Sequence, residues 1–149
     1  MAEAVIRKMK SEDVSSVVEI EHVSFSAPWA AETYRQEVEK NKYAHYFVIE
    51  VDKVLIGFVG IWLVRDEAQI TNIAIHPNYR GYKLGEKLFG FAVQYVINHG
   101  ATRLSLEVRK SNIVAQKLYE KFGLVAGGIR KGYYPDNGED AIVMWVDLS

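Results

Sequence analysis

The longest apolar run of the sequence extends from Val54 to Val64. It is about half as long as a membrane-spanning helix requires, so it predicts a β-strand rather than a membrane span. A second strand-like segment, Tyr43 to Glu50, comes just before it, and the polar pair Asp52-Lys53 separates the two. We therefore expect the two segments to form an antiparallel hairpin.

Helical and strand periodicities alternate along the rest of the chain. We predict strands at Ala4 to Met9, Ala68 to Ile75 and Arg103 to Val108, and two more on either side of residues 135–138. Helices are predicted after Ser11 and at Ala30 to Lys40, Leu84 to Asn98 and Asn112 to Phe122. The order β-α-α-β-β-β-α-β-α-β-β combines an antiparallel hairpin with later crossover helices. It predicts the α/β (α+β mixed sheet) class.

The first helix and the long helix each carry an apolar face. Ser11 is expected to cap the first helix, with Val14, Val17 and Val18 on its inner side. The long helix is expected to turn five residues inward, namely Leu84, Leu88, Phe91, Ala92 and Tyr95.

The composition is that of one soluble globular domain spanning residues 1–149. The chain has a net charge of −1, an apolar fraction of 49% and no cysteine. The missing cysteines exclude disulfides, cysteine metal sites and a cysteine nucleophile, while the four scattered histidines lack ligand spacing, so we expect no metal. The near-zero charge argues against general nucleic-acid or membrane binding. No signal peptide is visible, which makes the cytoplasm the expected location.

One strand-to-helix junction carries a glycine-containing basic loop. The strand ending at Ile75 leads through Arg80 and Gly81 into the helix that begins at Leu84. Free N–H groups at a helix start attract anions, and a glycine lets a pyrophosphate approach closely. On this stretch alone, a phosphate site and an ordinary turn are equally supported.

The next strand carries a candidate base. Its alternation places Leu104, Leu106 and Val108 on one face and Ser105, Glu107 and Arg109 on the other. Glu107, near the strand end, could face a cleft and accept a proton. The competing interpretation is a surface glutamate that pairs with Arg103 or Arg109.

The helix that follows holds a candidate acid. Ala115, Leu118, Tyr119 and Phe122 share one face, so packing is the default role of Tyr119. Its hydroxyl nevertheless needs a partner if it is buried. Asn112 at the start of the helix is explained by capping alone.

Taken together, these residues resemble the GNAT acetyltransferases, and within them the RimI-type N-terminal protein acetyltransferases, over nearly the whole chain. The acyl-CoA signature Gln/Arg-x-x-Gly-x-Gly/Ala is represented by Arg80 to Gly85, with Lys83 in place of the middle glycine. The further matching motifs are Pro28-Trp29, Asn72-Ile73-Ala74-Ile75, Leu106-Glu107-Val108-Arg109-x-Ser111-Asn112, Leu118-Tyr119-x-x-Phe122-Gly123, Arg130-x-x-Tyr133-Tyr134-Pro135 and Gly138-Glu139-Asp140-Ala141.

The resemblance implies a GNAT fold, with about seven largely antiparallel strands flanked by about four helices, and acetyl-CoA as co-substrate. It implies Glu107 as general base and Tyr119 as general acid. It also implies a peptide groove bordered by Trp29, Tyr133 and Tyr134. The implied coenzyme-binding residues are Ile73, Ala74, Ile75, Arg80, Gly81, Tyr82, Lys83, Leu84, Gly85, Glu86 and Asn112.

The substrate that the resemblance implies is the N-terminal alanine of the eighteenth small-subunit ribosomal protein. The Glu107 and Tyr119 pair leads us to expect direct transfer of the acetyl group in a ternary complex. No nucleic acid or membrane is expected as partner, and a monomer is the simpler expectation. The alternatives are an acetyltransferase for a small amine or an internal lysine, and a non-catalytic acyl-CoA-binding module.

Overall fold

The computed structural model describes residues 3–24, 31–81 and 83–149. The strands are β1 (Ala4–Lys8), β2 (Ala44–Val51), β3 (Val54–Val64), β4 (Glu67–Ile75), β5 (Arg103–Arg109), β6 (Val125–Arg130) and β7 (Ala141–Asp147). The helices are α1 (Val14–Ser24), α2 (Ala31–Lys40), α3 (Leu84–Asn98) and α4 (Ile113–Lys121). This is the predicted order of elements; β3 and α3 have the predicted boundaries, and the other boundaries differ by no more than three residues.

The strands form one seven-stranded sheet in the order β1-β2-β3-β4-β5-β7-β6. The predicted hairpin is present: β2 and β3 are antiparallel, and Asp52 and Lys53 between them both have positive φ. β4 and β5 form the parallel pair, because the crossover helix α3 connects them. The mixed α/β class and the GNAT-type sheet are therefore confirmed.

Two hydrophobic clusters cover opposite faces of the sheet. Val14, Val17 and Ile20 of α1 and Tyr34 of α2 pack with one face. α3 and Tyr119 of α4 pack with the other. Within the ranges that the structure describes, none of the helices is long and apolar enough to cross a membrane.

Two details of the helices differ from the prediction. Residues Ser11–Asp13 form a short 3-10 turn before α1, and the Ser11 hydroxyl donates to Glu39 at 2.7 Å instead of capping a helix. The fully buried residues of α3 include Phe89 and Val96, whereas Phe91 and Tyr95 are half-buried and pack at the edge of the core. Helical periodicity predicts which side of a helix is apolar, but the neighbouring elements determine which residues on that side are most buried.

Candidate functional site

The main cleft lies where β4 and β5 separate. The two strands pair at only three positions, from Glu67↔Arg103 to Gln69↔Ser105. Beyond these pairs a cleft of about 810 Å³ lies between residues 70–73 of β4 and residues 106–109 of β5. Several of the residues singled out from the sequence line it, namely Ile73, Glu107, Asn112, Tyr119, Tyr133 and Tyr134.

Glu107 faces this cleft because the alternation of β5 is as predicted. Leu104, Leu106 and Val108 are buried on the side of the sheet that α3 covers. The Glu107 side chain, on the other face, is 13% exposed. Its Oε1 accepts a hydrogen bond from Gln69 Nε2 at 3.3 Å and lies 3.8 Å from Arg130 Nε.

The suggested pairing of Glu107 with Arg103 or Arg109 is wrong. Arg103 lies over the Trp145 ring, and Arg109 contacts two other carboxylates. The cation beside Glu107 is Arg130, which comes from β6 and could not be identified from sequence distance alone.

Tyr119 lies in the wall of the cleft and also belongs to the core. It is 6% exposed, and its ring centroid is 4.8 Å from that of Phe89. Burial, followed by the nearby Tyr134, raises the pKa of the Tyr119 phenol well above its usual value. The hydroxyl is therefore protonated throughout the cellular pH range.

Two tyrosines form the rim of the cleft on the side of the β6–β7 loop. Tyr133 and Tyr134 pack edge to face at a centroid distance of 5.1 Å. Hydrogen bonding to Glu107, followed by burial, raises the pKa of Tyr133 to about 12. Both phenols thus present hydrogen-bonding hydroxyls beside apolar ring surfaces.

The β6–β7 loop is held by Arg109, a role that the sequence did not reveal. Its guanidinium contacts Asp136 Oδ2 at 2.9 Å and Glu139 Oε1 at 3.2 Å and lies 4.0 Å from the centre of the Tyr134 ring. Glu139 also accepts a bond from the Ser111 backbone N–H at 2.7 Å. These acidic residues follow Arg109 by 27 and 30 positions, so no local spacing indicated the cluster.

The loop before α3 combines a glycine and a lysine in left-handed backbone conformations. Gly81 has φ +89° and Lys83 has φ +60°. Arg80 Nε donates to the Ile75 carbonyl at 3.2 Å, which attaches the loop to the end of β4. Lys83 occupies the N-cap position of α3 without a side-chain capping bond.

Other charged residues near this loop have structural partners. Glu86 binds Lys121 of α4 at 2.9 Å, and this neighbour lowers the pKa of the Glu86 carboxyl. Lys87 Nζ donates to the Ala4 carbonyl on β1. The Asn112 side chain caps α4 by accepting from Ala115 N at 3.2 Å, while the residue also lines the cleft.

Trp29 and Tyr82, which were also assigned to the site from the sequence, lie outside the described residues. Among the residues that are described, no group of three or more histidine, aspartate or glutamate side chains is arranged to hold a metal ion.

The parallel pair that opens into a cleft, with a basic loop leading from β4 into α3, is the arrangement expected of the GNAT fold. The sequence profile of the Acetyltransferase (GNAT) family matches residues 14–124. The chain belongs to the GNAT acetyltransferase family.

Individual relatives narrow the comparison. The chain is 56% identical over 146 residues to a Bacillus subtilis protein with the provisional name ribosomal protein bS18-alanine N-acetyltransferase, covering 98% of this chain and 97% of that protein. It is 32% identical to the Escherichia coli ribosomal protein bS18-alanine N-acetyltransferase, covering 97% of both chains. The crystal structure of the ribosomal-protein-S18-alanine N-acetyltransferase from Escherichia coli superimposes with a TM-score of 0.91 at 30% identity, covering 99% of this chain and 95% of that chain.

Proposed function

We propose that this protein transfers the acetyl group of acetyl-CoA to the α-amine of an N-terminal alanine on the eighteenth small-subunit ribosomal protein. The observation that carries the proposal is the single cleft that holds Glu107, Tyr119 and the tyrosine rim together. The names of the relatives support the ribosomal substrate. A ribosomal substrate favours the cytoplasm as the location of the reaction.

The residues at the cleft fit the coenzyme. β4 beyond Gln69 is not paired with β5, so its backbone groups on that edge are available to a ligand. The free N–H groups at the start of α3, next to Gly81 and Arg80, suit a pyrophosphate. Acetyl-CoA supplies an acetyl group activated as a thioester. We assign the backbone of residues 73–75 to its pantetheine arm, Arg80 and residues 81–86 to its phosphates, and Asn112 to a further contact.

Glu107 is proposed to accept the proton of the substrate amine, directly or through one water. An α-amino group has a pKa of about 7.7–8.0, so a modest base suffices. A lysine side chain, with a pKa of about 10.4, costs roughly 3 kcal/mol more to deprotonate near neutral pH. This difference favours an α-amine as acceptor.

Tyr119 is proposed to donate a hydrogen bond to the departing sulfur. Because burial raises its pKa, complete proton transfer to a thiolate is unfavourable, and stabilisation by a hydrogen bond is the more economical role. The absence of cysteine excludes an acetyl-cysteine intermediate, which supports direct transfer between the two substrates.

Tyr133 and Tyr134 are proposed to border the peptide groove. Their rings offer apolar contact, and their hydroxyls can bond to a peptide backbone. Trp29 is the candidate for the opposite side of the groove.

Substitution of the proton-transfer pair tests the mechanism. Glu107→Gln is expected to lower kcat by about 100-fold or more, and Tyr119→Phe by a similar factor, since each removes one proton or hydrogen-bond contribution. Acetyl-CoA affinity, measured by calorimetry, should remain close to that of the wild type. The matched controls are Glu120→Gln and Tyr43→Phe, at exposed positions. Wild-type turnover by both cleft variants would refute the mechanism.

A peptide panel tests the substrate. Thiol release from acetyl-CoA is measured with the N-terminal peptide of the ribosomal protein, beside peptides that begin with Met or Ser and a blocked peptide with an internal lysine. We expect mass spectrometry to locate the acetyl group on the N-terminal alanine. Modification of the lysine peptide alone would contradict the proposal.

A further inference from the structure

A second buried carboxylate lines the same cleft and has no part in the proposed proton transfers. Glu21 of α1 is 2% exposed. It accepts hydrogen bonds from the Tyr34 hydroxyl of α2 and, at 2.9 Å, from Asn72 Nδ2 of β4. Burial of a carboxylate is costly unless hydrogen bonds compensate for lost water. The link from both helices to one residue of β4 therefore needs an explanation.

Asn72 lies next to an irregularity in β4. The pairing of β4 with β3 skips Thr71, which is the extra residue of a β-bulge. The Thr71 side chain lies beneath α1 and α2, since its Oγ1 is 3.4 Å from the Tyr46 hydroxyl, a residue of the cluster on that face. Asn72 faces the same side, and Thr71 Oγ1 donates to Asn72 Oδ1 at 3.1 Å. The bulge thus directs two consecutive polar side chains to one face.

The opposite strand provides room for this polar pair. A Cβ atom at Gly60 of β3 would lie 2.6 Å from Thr71 Oγ1 and 2.8 Å from Asn72 Oδ1. Any larger residue at position 60 would displace the two side chains. The bulge and the glycine are therefore separate features that accommodate the same cluster.

The position of the bulge determines which backbone groups face the cleft. Successive residues of a strand present their N–H and C=O groups to opposite edges. Loss of the bulge, with the pairing of residues 67–70 kept, would shift residues 73–75 by one position against β3. It would thereby exchange their backbone groups that face β3 with those that face the gap toward β5.

We propose that Glu21 is a positioning residue for acetyl-CoA. Through Asn72 it fixes the bulge of β4 and so determines which backbone groups of residues 73–75 face the coenzyme. Glu21 acts through Asn72 and does not touch the reacting atoms. The inference rests on the proposed binding of acetyl-CoA by residues 73–75.

Three variants test this role: Glu21→Ala, Glu21→Gln and the control Asp13→Asn. Gln retains an acceptor oxygen for Asn72 and Tyr34, whereas Ala does not. Asp13 is a comparably buried carboxylate, 8% exposed, whose partner Arg7 is not among the residues that line the cleft. The readouts are the acetyl-CoA Kd by calorimetry, hydrogen exchange of β4 in the free protein, and Tm.

We expect Glu21→Ala to raise the acetyl-CoA Kd about tenfold or more, which corresponds to the loss of roughly one hydrogen bond. The same variant should accelerate hydrogen exchange in β4. Glu21→Gln should restore both to within about threefold, and Asp13→Asn should lower Tm with the Kd unchanged. If Glu21→Ala does not fold, Asn72→Ala, which leaves Glu21 with Tyr34, takes its place with the same expectation.

A wild-type Kd in the folded Ala variant would overturn the proposal, as would an equal loss of affinity in Asp13→Asn. The Kd does not depend on any peptide substrate. A wild-type protein that binds acetyl-CoA without acetylating the alanine peptide would therefore contradict the proposed function and leave the positioning role supported.

Discussion

At the scale of single residues, Lys83 shows how a departure from a family motif is accommodated. The motif has glycine at this position, and Lys83 has φ +60° and ψ 22°, a left-handed conformation in which glycine meets no steric cost. The strain is tolerated at the start of α3, where a positive charge adds to the field of the helix N-terminus. Lys83 therefore combines a backbone conformation that glycine adopts at lower cost with a positive charge beside the proposed phosphate site.

Lys83→Gly should consequently stabilise the protein and weaken coenzyme binding. Glycine relieves the left-handed strain, and its greater freedom in the unfolded chain offsets part of this gain. The net effect should raise the free energy of unfolding, measured by urea denaturation, by about 0.5–1 kcal/mol. The acetyl-CoA Kd should rise several-fold at low salt. Lys53→Gly is the control, because Lys53 also has a positive φ, +66°, but lies in the β2–β3 turn. This variant should stabilise the protein without changing the acetyl-CoA Kd. Equal Kd values in the two variants would contradict the expectation.

Arg109 is the second residue whose role depends on distant partners. Its planar fork binds Asp136 and Glu139 together and stacks on Tyr134, a combination that a lysine cannot reproduce. We expect Arg109→Lys to loosen residues 131–140 and to raise the peptide KM about tenfold, equivalent to about 1.4 kcal/mol, with the acetyl-CoA Kd unchanged. Kinetics and hydrogen exchange of the loop check this. Arg103→Lys, at the other end of β5, should leave the KM unaltered.

At the scale of elements, α3 is joined to β2 by a cluster of aromatic and imidazole rings. The Tyr95 hydroxyl and His45 Nδ1 are 2.8 Å apart, and the Tyr95 and His99 rings stack at 4.1 Å. Burial, followed by the charges of His99 and Lys8, lowers the pKa of His45 below its ordinary value of 6.5. The neutral imidazole is therefore the form that fits this contact.

The free energy of unfolding should depend on pH through this histidine. Because the folded pKa is the lower one, the unfolded chain binds the proton first as pH falls. The contribution of His45 is thus complete above about pH 6.5 and is lost as pH decreases toward the folded pKa. The free energy of unfolding, measured with urea between about pH 7.5 and 5.5, should change less with pH in His45→Gln than in the wild type. Substitution of the exposed His22 by Gln should leave the pH dependence of the wild type unchanged. An equal pH dependence in the two variants would be inconsistent with this account.

At the scale of the whole molecule, the cleft separates the sheet into two parts. β1–β4 continue into β5–β7 through only three paired positions of the parallel ladder. A ligand that contacts β4, α3 and α4 together would connect the two parts. Such a ligand would bind the folded protein but not the unfolded chain.

Acetyl-CoA should therefore raise Tm. At a concentration of about 100 times its Kd, linkage adds about 2.7 kcal/mol, which corresponds to roughly 5–10 °C for a domain of this size. Thermal unfolding monitored by circular dichroism measures the shift. Pantetheine without the phosphates should give a much smaller shift at the same concentration if the loop before α3 binds the pyrophosphate. Equal shifts would argue against that assignment.

Local periodicity was sufficient to predict most of the fold. The element order, the hairpin at Asp52-Lys53 and the inward face of β5 follow from patterns within a few residues, because strands and helices repeat over short distances. Motif resemblance then brought Glu107, Tyr119 and the tyrosine pair into one hypothesis, and the structure places them along one cleft. The functional roles of these residues remain predictions.

Short-range patterns in the chain specify the class of sheet, the crossover helices and the residue types available for acyl transfer. The fold specifies which groups meet: Arg130 and Gln69 beside Glu107, Arg109 between two acidic residues of the β6–β7 loop, and Glu21 against Asn72 at the bulge of β4. All of these contacts join segments that are distant in sequence. Their geometry depends on strand register and on where β4 and β5 separate, and neither leaves a periodic signal in the chain.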